Sequence, residues 1–170
     1  MHSMSARLRP ALGLAGGLAV LLLAGCGGGS ASTAGASTEK AHFVAHAQAV
    51  CRTLEARERP LKARQESLKG QPTATADKAF VTLARQVAVL SRAAEGKLQA
   101  LPRPAADAHA IAGLLTSFTQ EIADVSAVAN AVADNQPETG ESADAALRKS
   151  IAQNSALADA YGMNACVGSE

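Results

Sequence analysis

The sequence predicts an all-α protein, an antiparallel up-down four-helix bundle, on three observations. Alanine fills 40 of the 170 positions while aromatic residues make up only 2%, and alanine is the best helix former and a poor strand former. Apolar residues recur at spacings of three, four and seven along four separate stretches. The breaks between those stretches are short and rich in Gly, Pro or polar residues, as antiparallel neighbours in a bundle require. The formal net charge is +1 with no basic block, so no nucleic-acid partner is predicted.

Residues 1–25 stand apart from the fold. Arg7 and Arg9 form a positive n-region, and an uncharged run follows from Ala11 to Leu23. As a helix that run would span about 20 Å, short of a hydrocarbon core of roughly 30 Å, so it reads as a leader and not as a permanent span. Leu23-Ala24-Gly25-Cys26 comes next. This resembles the lipobox of bacterial lipoproteins, which implies cleavage before Cys26, acyl chains on Cys26 and a lipid anchor on the extracytoplasmic face of a bacterial membrane. Loss of Arg7 and Arg9 would leave 14 basic and 15 acidic side chains, too even a balance to steer the chain towards anionic lipid. The small-residue run from Gly27 to Ser37 reads, with Cys26, as a flexible tether over 26–37, with a reach of about 17–20 Å.

The bundle domain is assigned to 38–170. Its first helix is expected over 38–69, capped by Ser37 or Thr38, with Phe43, Ala47, Val50, Leu54, Leu61 and Leu68 as its apolar stripe. Pro60 should kink it, or else divide it in two, and Gly70 and Pro72 should end it. The second helix, over 75–101, carries Phe80, Leu83, Val87, Leu90, Ala94, Leu98 and Leu101 on one face. The third, over 105–133, follows Pro102 and Pro104 and presents Ile111, Leu115, Phe118, Ile122, Val125, Ala129 and Val132. Asp134 to Glu141 reads as a polar loop, and the fourth helix, over 142–161, turns Leu147, Ile151, Ala158 and Tyr161 inward. Gly162 suits a left-handed helix end, and Met163 the apolar contact that goes with it. Alanine at facing positions lets helices approach closely, which predicts a narrow core with little room for a ligand.

With Cys26 given to the lipid, Cys51 and Cys166 remain. Cys51 lies about 27 Å from the distal end of the first helix, and the fourth helix runs back from that end for about 28 Å, so its last turn stops level with Cys51. A Cys51–Cys166 disulfide is therefore predicted, with the Cys51 sulfur facing the fourth helix.

Phe43 and Cys51 on the first helix, Leu101-Pro102 with Pro104 in the middle connection, and Tyr161-Gly162-Met163 ahead of Cys166 form a recognisable pattern. It resembles uncharacterised small helical secreted proteins and lipoproteins of high-GC bacteria, the actinobacterial type above all. The resemblance implies a disulfide and a helix cap but no activity, so no catalytic residue carries over.

Motifs for chemistry are sparse. Glu39, His42 and His46 share one side of the first helix, and His at i and i+4 can chelate Zn or Cu. They flank the apolar stripe without joining it, so solvated side chains are the plainer reading and a surface metal site the alternative. His109, two residues before the inward Ile111, should point outward. No Glu-x-x-His, Cys-x-x-Cys-His, Gly-x-Ser-x-Gly, Walker or dinucleotide motif occurs. The alternating charges Arg52, Glu55, Arg59 and Lys62, and Arg85, Arg92 and Glu95, read as solvated faces. No enzyme and no cofactor are predicted. The expected role is a lipid-anchored binding or scaffolding module that engages another envelope protein through a helix face, with metal binding by Glu39, His42 and His46 as the alternative.

Overall fold

The computed structural model describes residues 30–167; the leader, Cys26 and the first residues of the tether lie outside them. Four α-helices account for nearly all of it: α1 (Ser30–Glu66), α2 (Thr73–Gln99), α3 (Ala108–Ala133) and α4 (Pro137–Tyr161). Short 3₁₀ turns at Ala105–Asp107 and Asn164–Cys166 precede α3 and follow α4. No strand occurs among the described residues.

Each helix packs on the next in sequence, α1 on α2, α2 on α3 and α3 on α4. Cross-helix pairs run in opposite chain directions. Gly140 lies against Ala131, Asn154 bonds Glu121 and Tyr161 bonds Asp107, so α4 is antiparallel to α3. Arg92 with Ser126 and Glu95 with Thr119 give the same sense for α2 and α3. The up-down bundle is the fold.

Two boundaries differ from expectation by five residues or more. The α1 helix begins at Ser30, so residues 30–37 are not a flexible tether, and Ser37 and Thr38 lie inside the helix instead of capping it. Alanine at 31, 34 and 36 favours helix strongly enough to outweigh the single Gly35. Second, α4 starts at Pro137, five residues before the expected 142. Proline suits the first helical position because the N–H it lacks would have no intrahelical partner there. The α3–α4 connection shrinks to Asp134–Gln136. Asn135 takes a left-handed φ of 52°, while its N–H donates to the Val132 carbonyl and that of Gln136 to the Ala131 carbonyl. This is a Schellman ending with Asn in the place more often held by Gly.

The α1 helix runs unbroken through Pro60, so it does not divide there. Pro60 and Ala56, whose carbonyl loses its partner, are both exposed, and water can reach that carbonyl. Beyond Glu66 a turn closes through Gly70, at φ 84°, and the Pro72 carbonyl accepts the N–H groups of Thr75 and Ala76 to start α2.

The core gathers at the end of the bundle where α1 enters and α4 finishes. Phe43, Ala47, Leu98, Ile111, Leu115, Phe118, Ala158 and Tyr161 form it, as their spacing predicted. Gly162, at φ 86°, ends α4; its N–H donates to the Asp159 carbonyl and that of Met163 to the Ala158 carbonyl. Met163 turns back into the core and is 0% exposed.

Cys51 and Cys166 form a disulfide with Cα atoms 5.0 Å apart. The Cys51 sulfur meets the Asn164–Cys166 turn instead of facing α4 itself, and it is through that turn that α1 is joined to the end of α4. Gln48 Nε2 donates to the Gly162 carbonyl at 2.9 Å beside it. Phe43 meets the Tyr161 ring edge-on at 5.9 Å, and Lys40 Nζ sits 4.3 Å from the centre of the same ring. The Tyr161 hydroxyl donates to Asp107 Oδ2 at 2.8 Å. Burial and the Asp107 carboxylate both push that phenol well above its usual range.

The disulfide closes a loop with a sequence separation of 115, worth up to about 4–5 kcal/mol by chain entropy. Reduction should lower the melting temperature by more than about 10 °C, at roughly 2–4 °C per kcal/mol, while most helicity at 25 °C survives. Thermal melts followed by circular dichroism, with and without reductant, check this.

Candidate functional site

The three residues of the sequence-predicted metal set are surface groups. Glu39, His42 and His46 are all exposed, and they border an open depression with Phe43, Leu101 and Pro104. No three His, Cys, Asp or Glu side chains among the described residues converge on a point that could hold a metal ion. A helix surface spaces i and i+4 side chains correctly for two ligands, but nothing here brings in the remainder of a coordination shell. His109 is exposed, as its place on α3 predicted.

A different place in the molecule concentrates polar groups. Since α1 reaches α4 chiefly through the 164–166 turn, the α1 and α4 flanks below that turn part and leave a groove between them. Its inner part is a cavity of about 180 Å³, walled by Leu54, Leu114, Phe118 and Met163 and closed at one end by the disulfide. The groove continues outward past Val87, Val125 and Ile151. The expectation of a close-packed interior without ligand space is corrected here. Small alanines let successive helices approach, but nothing in the sequence fills the gap between the first helix and the last.

Every helix contributes polar residues to this groove, among them Glu58 from α1, Ser91 from α2, Glu121 from α3 and Asn154 from α4. Ser91 Oγ donates to Glu58 Oε1 at 3.2 Å, and Asn154 Nδ2 donates to Glu121 Oε2 at 2.8 Å. Lys62, one turn beyond Glu58, faces the same space. Lys62 stays exposed, as expected, while bordering this groove. Ile151, expected inside, is 39% exposed, because it lies on the lip of the groove where α1 does not cover it.

Burial raises the Glu58 carboxyl above its usual range, against the lowering effects of Lys62 and of the Ser91 hydrogen bond. Burial also raises Glu121, and the charges of Glu58 and Asp124 add to it while the Asn154 hydrogen bond opposes it. Asn154 is 7% exposed, and its Oδ1 has no hydrogen-bond partner. A buried carbonyl oxygen without a donor is costly, by about 1–3 kcal/mol.

These residues were not singled out from sequence, yet the signal was present. Glu58 lies four after Leu54 and seven after Cys51; Glu121 lies three after Phe118; Asn154 lies four before Ala158. Each polar side chain is in register with an apolar stripe, which is where a half-buried polar layer has to come from.

Comparison with known protein families, with curated proteins and with solved structures finds no match for the chain.

The raised Glu121 carboxyl fixes a sign. A carboxyl whose folded-state pKa exceeds its unfolded value favours the fold below the unfolded value, near 4.5, and that contribution is lost as pH rises through the folded value. Glu121→Gln keeps an acceptor for Asn154 Nδ2 and removes the buried charge. The variant should match wild type in stability at pH 4 and exceed it at pH 7, as urea melts at the two pH values would measure. A variant less stable than wild type at pH 7 would contradict the assignment.

Proposed function

We propose that this chain is a lipid-anchored binding module of a bacterial cell envelope, held by acyl chains on Cys26 and engaging its ligand through the groove between α1 and α4. The groove is the observation that carries the reading. It combines an apolar wall with a few convergent polar groups, the general make-up of a binding site. Each carboxylate is already held by a neutral donor from another helix, an arrangement suited to holding a ligand in place.

The lipobox-like Leu23-Ala24-Gly25-Cys26 supports the anchor, and the Cys51–Cys166 bond supports an oxidising, extracytoplasmic setting. No helix among the described residues is long and apolar enough to cross a membrane. Two acyl chains suffice for stable attachment. On this reading the envelope partner, where one exists, meets the groove and not an arbitrary helix face.

Replacing Cys26 by Ser should move the protein from the membrane fraction to the soluble one, scored by fractionation and immunoblot. Equal partitioning of wild type and variant would refute the anchor. A photoreactive side chain at position 151 should give a discrete cross-linked species in whole cells, whereas the same group at the exposed Ala160 should not.

A further inference from the structure

Taken whole, the chain is too evenly charged to be steered towards anionic lipid, but its halves are not alike. Residues 30–100, which form α1 and α2, carry 11 basic and 6 acidic side chains, whereas residues 101–170 carry 3 and 9. The basic excess is also sorted by face. Glu55 pairs with Arg59 and borders the α1/α4 groove with Glu58, and Glu66 pairs with Lys69. On α2, Glu95 accepts from Thr119 of α3, and Asp77, about five full turns earlier, lies on the same side. Apart from Glu39 near the start of α1, the outer face of the α1/α2 pair keeps no unpaired carboxylate.

Cations remain on that face. Arg57 and Lys97 border one crevice between the two helices. Arg64 lies seven after Arg57, and Lys78 and Arg85 lie seven apart on α2, so each pair shares a side of its helix. All of these are exposed, and none has a carboxylate within ion-pair distance among the described residues. Val89, one turn beyond Arg85, is 61% exposed, more than any other large hydrophobic side chain among the described residues. From Lys78 to Lys97 the helix runs about 28 Å, and nothing draws the cations around one point. Charges so spread suit an extended anionic surface and not a small anion. An apolar side chain set among them suits the boundary between headgroups and acyl chains. Cys26, the proposed lipid carrier, stands four positions ahead of the first residue of α1, so its acylation would start α1 close to a bilayer.

We propose that the outer face of the α1/α2 pair docks on a bilayer surface of anionic lipid, with Arg57, Arg64, Lys78, Arg85 and Lys97 against the headgroups and Val89 between them. The choice of a membrane as occupant rests on the proposed anchor at Cys26; the charged face does not. The contact orients an anchored chain and does not replace the anchor. Exposed charges are screened over about 8 Å at physiological salt, so a Cys26→Ser chain is released at that ionic strength. The acidic half, with Asp134, Glu138 and Glu141 around the α3–α4 connection, then faces away from the lipid.

The first test uses the Cys26→Ser chain without residues 1–25, which keeps every described residue. At about 20 mM salt it should cosediment with vesicles of phosphatidylcholine and about 30% phosphatidylglycerol at least about tenfold more than with phosphatidylcholine alone, and about 500 mM salt should abolish the difference. Arg57→Gln/Arg64→Gln/Lys97→Gln, with circular dichroism matching wild type, should lose at least about tenfold of that binding. In the acylated chain on the same anionic vesicles, a photoreactive side chain at position 89 should label lipid, and one at the exposed Ala156 of α4 should not. The comparison of positions 89 and 156 decides even where the triple variant loses helicity. Indifference to lipid charge, unchanged binding by a helical triple variant, or equal labelling from the two positions would overturn the proposal. Salt-sensitive self-association without vesicles would overturn it too, giving the face to the acidic half of a second copy. So would binding to soluble polyphosphate without lipid labelling from position 89, which gives the face to a soluble anionic polymer. Charge-dependent vesicle binding together with equal cellular partitioning of wild type and Cys26→Ser would uphold the face and reject only the anchor.

Discussion

The structure depends on one covalent constraint, the bond from Cys51 to Cys166. Successive helices are held together by short connections and apolar stripes, but α1 and α4 are the ends of that series and have no such link. The 164–166 turn supplies it, reaching across from the end of α4 to the middle of α1. Its approach is set by backbone chemistry: Gly162 reverses the chain at a positive φ, Met163 fixes the reversal by burying its side chain, and Gln48 holds the Gly162 carbonyl. A disulfide without that cap would join a frayed tail; the cap without the disulfide would leave α1 free to swing about α2. The aromatic pair Phe43–Tyr161, with Asp107 on the phenol, adds a second tie at the same end and fixes the rotation of α1.

The constraint also explains why a groove exists. A bundle closed along its whole length by α1/α4 packing would place Glu58 and Glu121 in a dry interior, where two like-charged carboxylates are very costly. Here the ends are pinned at one level only, and below it the flanks stay apart. Glu58 and Glu121 keep partial access to water, which is why burial raises their carboxyls without isolating them. The polar layer and the incomplete closure are therefore two sides of one arrangement: the layer discourages collapse, and the pinned turn prevents separation.

Much of this was legible in the residues. The stripe Phe43, Ala47, Leu54 and the stripe Ile111, Leu115, Phe118, Ile122 turned out to be core or core-flanking because a 3.6-residue period leaves few other ways to bury them. The disulfide was legible because helix length converts directly into distance along an axis. The helix starts were less so. Ser30 and Pro137 begin helices inside stretches that look like linkers, since small and polar residues are compatible with a first turn as well as with a loop. The groove was not inferred, because its existence depends on which pair of helices fails to meet, and no local pattern encodes that. Ile151 illustrates the point: its register is that of a core residue, and its exposure comes from a neighbour that is elsewhere.

The helical start of α1 bears on where a ligand for the groove would come from. Ser30 precedes Phe43, the first core residue of α1, by 13 positions, about 20 Å of helix. Glu58 lies 28 positions from Ser30, about 42 Å along the same axis. Under the proposal that Cys26 carries the lipid, a flexible tether throughout 26–37 would let the domain fold back onto the membrane surface. Under the same proposal, helix from Ser30 onward shortens any linker to the anchor relative to a tether over 26–37. Along the axis of α1 the disulfide level at Cys51 precedes Glu58, so the groove lies on the side of the disulfide away from Ser30. On that proposal the groove would sample solutes and proteins of the envelope space before it samples lipid.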